Sequence, residues 1–316
     1  MDRPILLQAI ALLPEVDRAL LERYTVHRLA PAGAERDAQL AQVGPAIDGL
    51  VTSARAGFDE ALLARLPNLR VISSFGVGLD VLDVPAARRR GIPVGYTPDV
   101  LTDCVADLAF GLLLSIARRI PEGDRYVRAG RWVQQPPQAF PLARKVSGAR
   151  LGIVGLGRIG QAIAQRASGF AMDVRYTGRR PVQGATLPFV PQLQELARWS
   201  DFLVVSTPGG ADTRHLIDAG VLDALGPEGF LVNIARGSVV DEKALVAALE
   251  RRSIAGAALD VFEHEPSVPQ ELLSLDNVVL LPHVASATHE TRAGMGQRVL
   301  DNLAAFFDGQ PLPSPA

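Results

Sequence analysis

The sequence predicts an α/β protein built from two doubly wound, parallel-sheet domains. Three observations carry this expectation. Short apolar runs alternate with helically spaced segments over the first hundred residues, and a second series of the same style opens at ARLGIVG. Between the two lies the most apolar helical stretch of the chain, followed by residues rich in proline and glycine. Alternation of this kind gives parallel strands whose crossover helices cover both faces of a sheet. At 316 residues the chain has room for about two domains, at roughly 150 residues each.

Taken in order, ILLQAI, TVHRL, DGLVTS, LRVISSF and IPVGY read as the strands of the first series. FDEALLARL and VPAARRRG have helical spacing, and the second stops at Gly91, suited to the left-handed backbone of a helix end. From Thr102, TDCVADLAFGLLLSIARRI reads as one long helix, with Thr102 or Asp103 as N-cap. Residues 128–148 read as an irregular crossing segment. The second series supplies the strands LGIV, DVRY, FLVVS, FLVNIA, AGAALDV and NVVLLP. A last helix runs from about Ser286 to Phe307, and PLPSPA reads as a frayed tail.

Composition removes several classes of function. A formal net charge of -2 offers no pull toward nucleic acid or an anionic membrane. The arginine clusters at 88–90, 118–119 and 251–252 follow helical stretches and read as solvated last turns facing the helix dipole. Lys145 and Lys243, the only lysines, leave Schiff-base chemistry without an agent. A single cysteine, Cys104, excludes an intrachain disulfide and fits a small core position in a reducing, cytoplasmic compartment. Gln8 interrupts the apolar N-terminal run and Pro14-Glu15 replaces a cleavage site, so a strand and loop are expected there rather than a signal peptide. LAFGLLLSIA (108–117) is far short of the ~20 residues that span a bilayer. No histidine pair has the spacing or acidic company of a metal site, so none is expected.

GLGRIG places Gly155, Gly157 and Gly160 directly after the strand LGIV, with Arg158 and Ile159 at the head of the next helix. In that context Gly155 permits a tight turn, Gly157 lets the backbone approach a pyrophosphate, and Gly160 lets helix and strand pack closely. The helix N-terminus then faces the anion with unpaired N–H groups. About 20 residues further on, a dinucleotide site for NAD carries an acid. Here the stretch is VRYTGRR, and Asp173 lies at the wrong end of its strand. Thr177 can donate a hydrogen bond, Gly178 leaves room, and Arg179 or Arg180 can bind a phosphate. NADPH is therefore expected over NADH.

Three ionisable residues each follow an apolar strand: Arg236 after FLVNIA, Glu265 after AGAALDVF, and His283 after NVVLLP. Parallel strands of one sheet end on one edge, where open α/β folds bind ligands, so the three should converge beside the cofactor. Arginine offers a fork for a carboxylate, histidine a proton, and glutamate an orienting charge. With a nicotinamide, that set reduces a 2-keto acid. His264 and His289 are weaker candidates, and His27 and His215 read as surface or capping residues.

VGLGRIGQAIAQR, NIARGSVVDEKAL, ALDVFEHEP and LLPHVASAT, in that order, resemble the cofactor motif and three signature blocks of the D-isomer-specific 2-hydroxy-acid dehydrogenases. The resemblance covers nearly the whole chain and implies a catalytic Arg236, Glu265 and His283. It implies a Rossmann cofactor domain, residues 101–283, inserted in a flavodoxin-like substrate domain of residues 1–100 plus 284–316. Further cofactor contacts are implied at Thr207, Pro208, Ile234, Asp260 and Ala285. SSFGVGLD resembles the loop whose Val77 and Gly78 amides hold the substrate carboxylate, and Thr52 and Ser53 stand in a loop that shapes the pocket. A homodimer is implied, packed through the cofactor domains by the helix at 108–117 and the segment around Trp132.

Within the family, VISSFGVGLD, TPDVLTDCVADLAFGLLL and KVSGARLGIVGLGRIG are most similar to glyoxylate/hydroxypyruvate and hydroxyphenylpyruvate reductases. The implied reaction is hydride transfer from NADPH to a small 2-keto acid, with an aromatic 2-keto acid as the alternative. Formate dehydrogenases share the scaffold but carry Gln where Glu265 stands. Dinucleotide-sensing corepressors share it too, with extra terminal segments for partners, whereas only six residues follow Gln310 here.

Overall fold

In the computed structural model, which describes residues 3–134 and 140–316, the chain divides into two compact units: residues 1–101 with 286–316, and residues 102–285. The first unit opens with β1 (Ile5–Gln8), α1 (Pro14–Arg23), β2 (Thr25–Arg28), α2 (Ala34–Val43) and β3 (Gly49–Ser53). It continues with α3 (Glu60–Ala64), β4 (Val71–Phe75), α4 (Val84–Arg89) and the two-residue β5 (Val94–Gly95). Asp59 and Asp83 start α3 and α4 by accepting the N–H groups of Leu62 and Ala86. The strands are parallel in the order β2-β1-β3-β4-β5, the flavodoxin-like arrangement. Leu7, Leu50 and Ile72 pack with Leu40, Leu63 and Ala86 of α2, α3 and α4. Their chain neighbours Leu6, Val51 and Val71 pack instead with Leu20 of α1 and with Val299 and Leu303. Successive residues thus serve opposite cores, which is why these strands read as unbroken apolar runs.

The second unit begins with α5 (Thr102–Ala117), α6 (Ile120–Arg128) and α7 (Arg131–Gln134). Then β6 (Arg150–Val154), α8 (Arg158–Ser168), β7 (Asp173–Thr177), α9 (Leu193–Trp199), β8 (Phe202–Val205) and α10 (Ala219–Leu225) alternate. They are followed by β9 (Phe230–Asn233), α11 (Glu242–Glu250), β10 (Gly256–Leu259), α12 (Gln270–Ser274) and β11 (Val278–Leu280). All strands are parallel, in the order β11-β10-β9-β8-β6-β7. Outside β7, Phe189 forms one further parallel bridge with Tyr176. Counted as a vestigial third strand, that bridge gives 3-2-1-4-5-6-7, the Rossmann order 3-2-1-4-5-6 with β11 added at the far edge. Winding reverses between β6 and β8, so the switch point, where such sheets hold dinucleotides, lies at Gly155 and Ser206.

The opposite edge of this sheet is closed by charge. Asp201 bonds Arg144 and Arg150 at 3.0 Å each, and although burial works against its charge, the Arg150 hydrogen bonds and both guanidinium charges hold its carboxyl below the usual range.

Four expectations change. The long helix stops at Ala117 because Arg119 adopts a left-handed backbone (φ 55°), and Pro121 then opens α6, where its missing N–H costs nothing. Residues 128–148 contain α7; residues 135–139 within them lie outside the described residues. The last helix, α13 (His289–Phe307), starts three residues later than expected, capped by Thr288, and packs on α1 and β4. The tail is not frayed. Ala316 donates to Val94 O at 2.8 Å, Tyr96 donates to Ser314 O at 3.0 Å, and Ser314 is 5 % exposed. The tail thereby occupies the edge that β5 would leave unpaired. No helix of the described residues is long and apolar enough to cross a membrane.

Candidate active site

The glycine loop turns between β6 and α8. Gly155 has φ 96° and lies against Thr207, where a Cβ would come within 2.8 Å of the Thr207 Cα. A Cβ on Gly160 would collide with the Gly155 carbonyl oxygen, so both positions admit only glycine. At Gly157 the reverse holds: a Cβ would meet nothing within 4 Å. That open space stands over the N-terminus of α8, which no side chain caps. The N–H groups of Arg158, Ile159 and Gly160 in the first turn are therefore suited to an anion, and the cradle fits a dinucleotide pyrophosphate.

β7 runs beside β6 with Val154 opposite Thr177, and the Gly155 N–H donates to Thr177 O at 2.9 Å. The turn Thr177-Gly178-Arg179-Arg180 therefore adjoins the glycine loop. Thr177 is 5 % exposed, the other three are exposed, and Tyr176 Oη accepts the Val182 N–H at 2.9 Å to close the turn. Among the described residues neither Arg179 nor Arg180 has an ion-pair partner. Arg175, by contrast, lies over the Trp199 ring at 4.2 Å and is committed to packing. Asp173 pairs in register with Arg150 at the far end of the strand.

Thr207 and Pro208 follow β8 at the switch point, and the Pro208 carbonyl accepts the Thr213 hydroxyl at 2.8 Å. Ile234 follows β9 and is 6 % exposed. Asp260 is fully buried, and its two oxygens accept the N–H groups of Val284 (2.7 Å) and Ala285 (2.9 Å). Burial pushes its carboxyl above the usual range, against those two hydrogen bonds. Asp260, expected as a cofactor contact, pins the 284–285 segment through these bonds.

Arg236, Glu265 and His283 follow the adjacent parallel strands β9, β10 and β11 on one edge. The buried Asn233 prepares the first of them by donating to Arg236 O at 2.9 Å and accepting the Ala235 N–H at 3.1 Å. His283 Nδ1 lies 2.8 Å from Glu265 Oε2 and 3.1 Å from Oε1, and Oε1 also accepts the Phe262 N–H at 3.2 Å. The His283 backbone is left-handed (φ 56°), a conformation uncommon outside glycine and tied down here by its N–H bond to Asp260 O at 2.8 Å. With Nδ1 on the carboxylate, Nε2 is the nitrogen left to carry a transferable proton. Sequence reasoning misses the neighbours: Asn233, Glu242 and Glu263 lie inside the signature blocks but are given no role by them, and His215, read as surface or capping, bonds Glu263 at 2.8 Å.

In the first unit, Val77 and Gly78 follow β4, and among the described residues no group accepts either N–H. Thr52 and Ser53 end β3. The Thr52 hydroxyl is buried and donates to Gly57 O at 2.7 Å, and Ser53 Oγ accepts the N–H groups of Arg55 and Ala56. Both side chains hold their own loop, whose backbone groups need these partners.

Residues 110–285 match the family model described as D-isomer specific 2-hydroxyacid dehydrogenase, NAD binding domain. The chain is 50 % identical over 269 residues to glyoxylate/hydroxypyruvate reductase A of Arabidopsis thaliana, covering 85 % of each. It is 44 % identical over 314 residues to a 2-ketogluconate reductase of Gluconobacter oxydans, covering 99 % of each. Among solved structures, the NADPH-dependent glyoxylate/hydroxypyruvate reductase of Sinorhizobium meliloti, in complex with NADP and malonate, superposes with a TM-score of 0.93 at 43 % identity, over 100 % of this chain and 97 % of that one.

Proposed function

The chain belongs to the D-isomer-specific 2-hydroxyacid dehydrogenase family, and we propose that it reduces a small 2-keto acid of the glyoxylate/hydroxypyruvate class with NADPH, releasing the D-2-hydroxy acid. As a member it is an oxidoreductase that works with a nicotinamide dinucleotide. The observation that carries the finer reading is the His283–Glu265 pair at the strand edge that also bears the glycine loop.

A bound nicotinamide supplies the hydride. Arg236 binds the keto-acid carboxylate as a planar fork and polarises the carbonyl. His283 Nε2 gives its proton to the carbonyl oxygen as the alkoxide forms. Glu265 fixes the ring through Nδ1, and its negative charge offsets the positive charge the ring holds while it acts as an acid. For the unit of residues 1–101 and 286–316 we propose the role of substrate domain, with the amides of Val77 and Gly78 as candidate substrate contacts.

The deciding experiment is NADPH oxidation by the purified protein with glyoxylate, hydroxypyruvate, pyruvate, phenylpyruvate and 2-ketogluconate. The highest kcat/KM is expected with glyoxylate or hydroxypyruvate. A preference for phenylpyruvate supports the aromatic alternative, and no turnover of any 2-keto acid overturns both.

We also propose a homodimer formed through the cofactor unit. Ile120, Val127, Trp132, Val133 and Leu142 are all more than half exposed, Val133 and Leu142 almost wholly so, within one stretch of 23 residues, 120–142. Large apolar side chains exposed this closely along the chain fit a surface that a partner covers. In the helix at 108–117, expected to share the contact, Phe110, Leu112, Leu113 and Ile116 are buried and α5 packs on α8, β9, β10 and β11, which leaves Gly111, Leu114 and Ser115 on its more exposed face. Light scattering at micromolar concentration is expected to give twice 33.7 kDa, and Val133→Asp with Leu142→Asp to give the monomer. A monomeric parent refutes the dimer.

A further inference from the structure

The loop that carries Glu265 is fastened by a second acid. Glu263 has a side chain only 10 % exposed, and its Oε1 accepts from both Arg214 Nη2 and His215 Nε2 at 2.8 Å. Its backbone N–H donates to Glu242 Oε1, in the first turn of α11, at 3.2 Å. The preceding Phe262 lies with its carbonyl against Gly237, where any Cβ would overlap the Phe262 backbone. The stretch 262–265 is thus gripped from three sides: the turn after Arg236, the start of α11, and residues 214–215. His215 is itself held in a left-handed backbone (φ 50°), its N–H donating to Ser238 O at 2.8 Å. Exposed ion pairs hold little. Here the acid is sheltered although Arg214 is more than half exposed, and two donors converge on one oxygen.

Arg214 and His215 approach Glu263 from the segment after β8, Glu242 from α11, and His264 from the loop itself. Burial works against the Glu263 charge, but the hydrogen bond and charge of His215, with Arg214, outweigh it and keep the carboxyl below the usual range. Glu265 and Asp260 are charged groups that face His283 among the described residues. The reduction derived above uses none of Glu263, His215 and Glu242.

We propose that Glu263 is a positioning residue: its carboxylate, held by Arg214 and His215, sets the loop so that Glu265 meets His283, and couples that loop to the segment that begins at Thr207. The proposal rests on the reductase reading of His283 and Glu265. Displacements of about 1 Å at a reacting group can cost as much as 10²-fold in rate, so an anchor on the same short loop as Glu265 is felt at the chemistry.

The test uses the full-length protein with its five histidines ¹³C-labelled, His283 being assigned by the signal missing in His283→Ala. In Glu263→Ala the His283 titration is expected to leave its parental position, as the carboxylate loses its place beside the ring. The kcat for glyoxylate should fall about tenfold with KM held within about twofold. Glu263→Gln, which still accepts both hydrogen bonds, should lie nearer the parent in both readouts. Glu263→Asp keeps the charge but not the reach, and decides the matter should the alanine variant fail to fold. A purely structural role would lower the melting temperature and leave the His283 titration at its parental pH, and that result overturns the proposal. If the parent reduces no 2-keto acid, the reductase reading falls while the titration still decides on Glu263.

Discussion

Replacing His283 by alanine is expected to lower 2-keto acid reduction by about 10²–10⁴-fold, the usual worth of a positioned acid–base group. The loss should appear in kcat, since a proton given only as the alkoxide forms stabilises the transition state and not the bound substrate. Glu265→Gln makes a finer test. It keeps a group able to accept from Nδ1 at 2.8 Å and removes the negative charge beside the ring. A carboxylate favours the protonated imidazole and a neutral amide does not. Reduction requires the protonated ring, so activity is lost as pH rises, and in Glu265→Gln that loss should come at a lower pH than in the parent. The pH dependence of kcat/KM for glyoxylate decides it. Superimposable profiles would remove Glu265 from the assigned role, and a His283→Ala variant with near-parental kcat would remove His283.

What the sequence reveals here, and what it hides, divides along physical lines. Strands buried on both faces advertise themselves as apolar runs, and each of the eleven strands among the described residues falls on a segment read as a strand, although β2 (TVHR) is neither buried nor continuously apolar. The glycine loop is legible because each glycine answers a steric demand seen in the structure: the approach of Thr207, open space, and the Gly155 carbonyl. His283 and Glu265 are legible because strand ends of a parallel sheet share an edge. The tail reads as frayed because its order comes from pairing with β5, a partner more than 200 residues away that no local pattern announces. The break at Arg119 is signalled only by Pro121, which is compatible with a kinked helix as well as with two helices. The grip on Glu263 is invisible for a different reason. It joins Arg214, His215 and Glu242, which are scattered along the chain and come together only when β8, β9 and β10 lie side by side.

NADPH is expected to exceed NADH in kcat/KM, and the turn after β7 is where the preference should reside. An NAD site accepts the ribose 2′-hydroxyl on an acid whose charge also repels a 2′-phosphate. Here β7 ends in Thr177, next to the glycine loop, and the acid's place is taken by exposed Gly178, Arg179 and Arg180. Arginine pairs elsewhere in the chain sit at helix ends, so a basic turn alone would mean little. Position and partnership distinguish this one. The third arginine of the stretch, Arg175, is spent on Trp199, whereas Arg179 and Arg180 have no carboxylate to neutralise them among the described residues. A charge-assisted bond from guanidinium to phosphate contributes about 1.5–3 kcal/mol, roughly 10–10²-fold in affinity. Thr177→Asp combined with Arg179→Ala should therefore lower the NADPH-to-NADH ratio of kcat/KM by about 10²-fold or more, through KM for NADPH. Salt supplies an independent reading. Exposed guanidinium–phosphate contacts weaken as ionic strength rises, so KM for NADPH should climb with added salt while KM for NADH stays level. A parent enzyme equally efficient with NADH, or a double variant whose cofactor ratio is unchanged, would show that this turn does not read the 2′-phosphate.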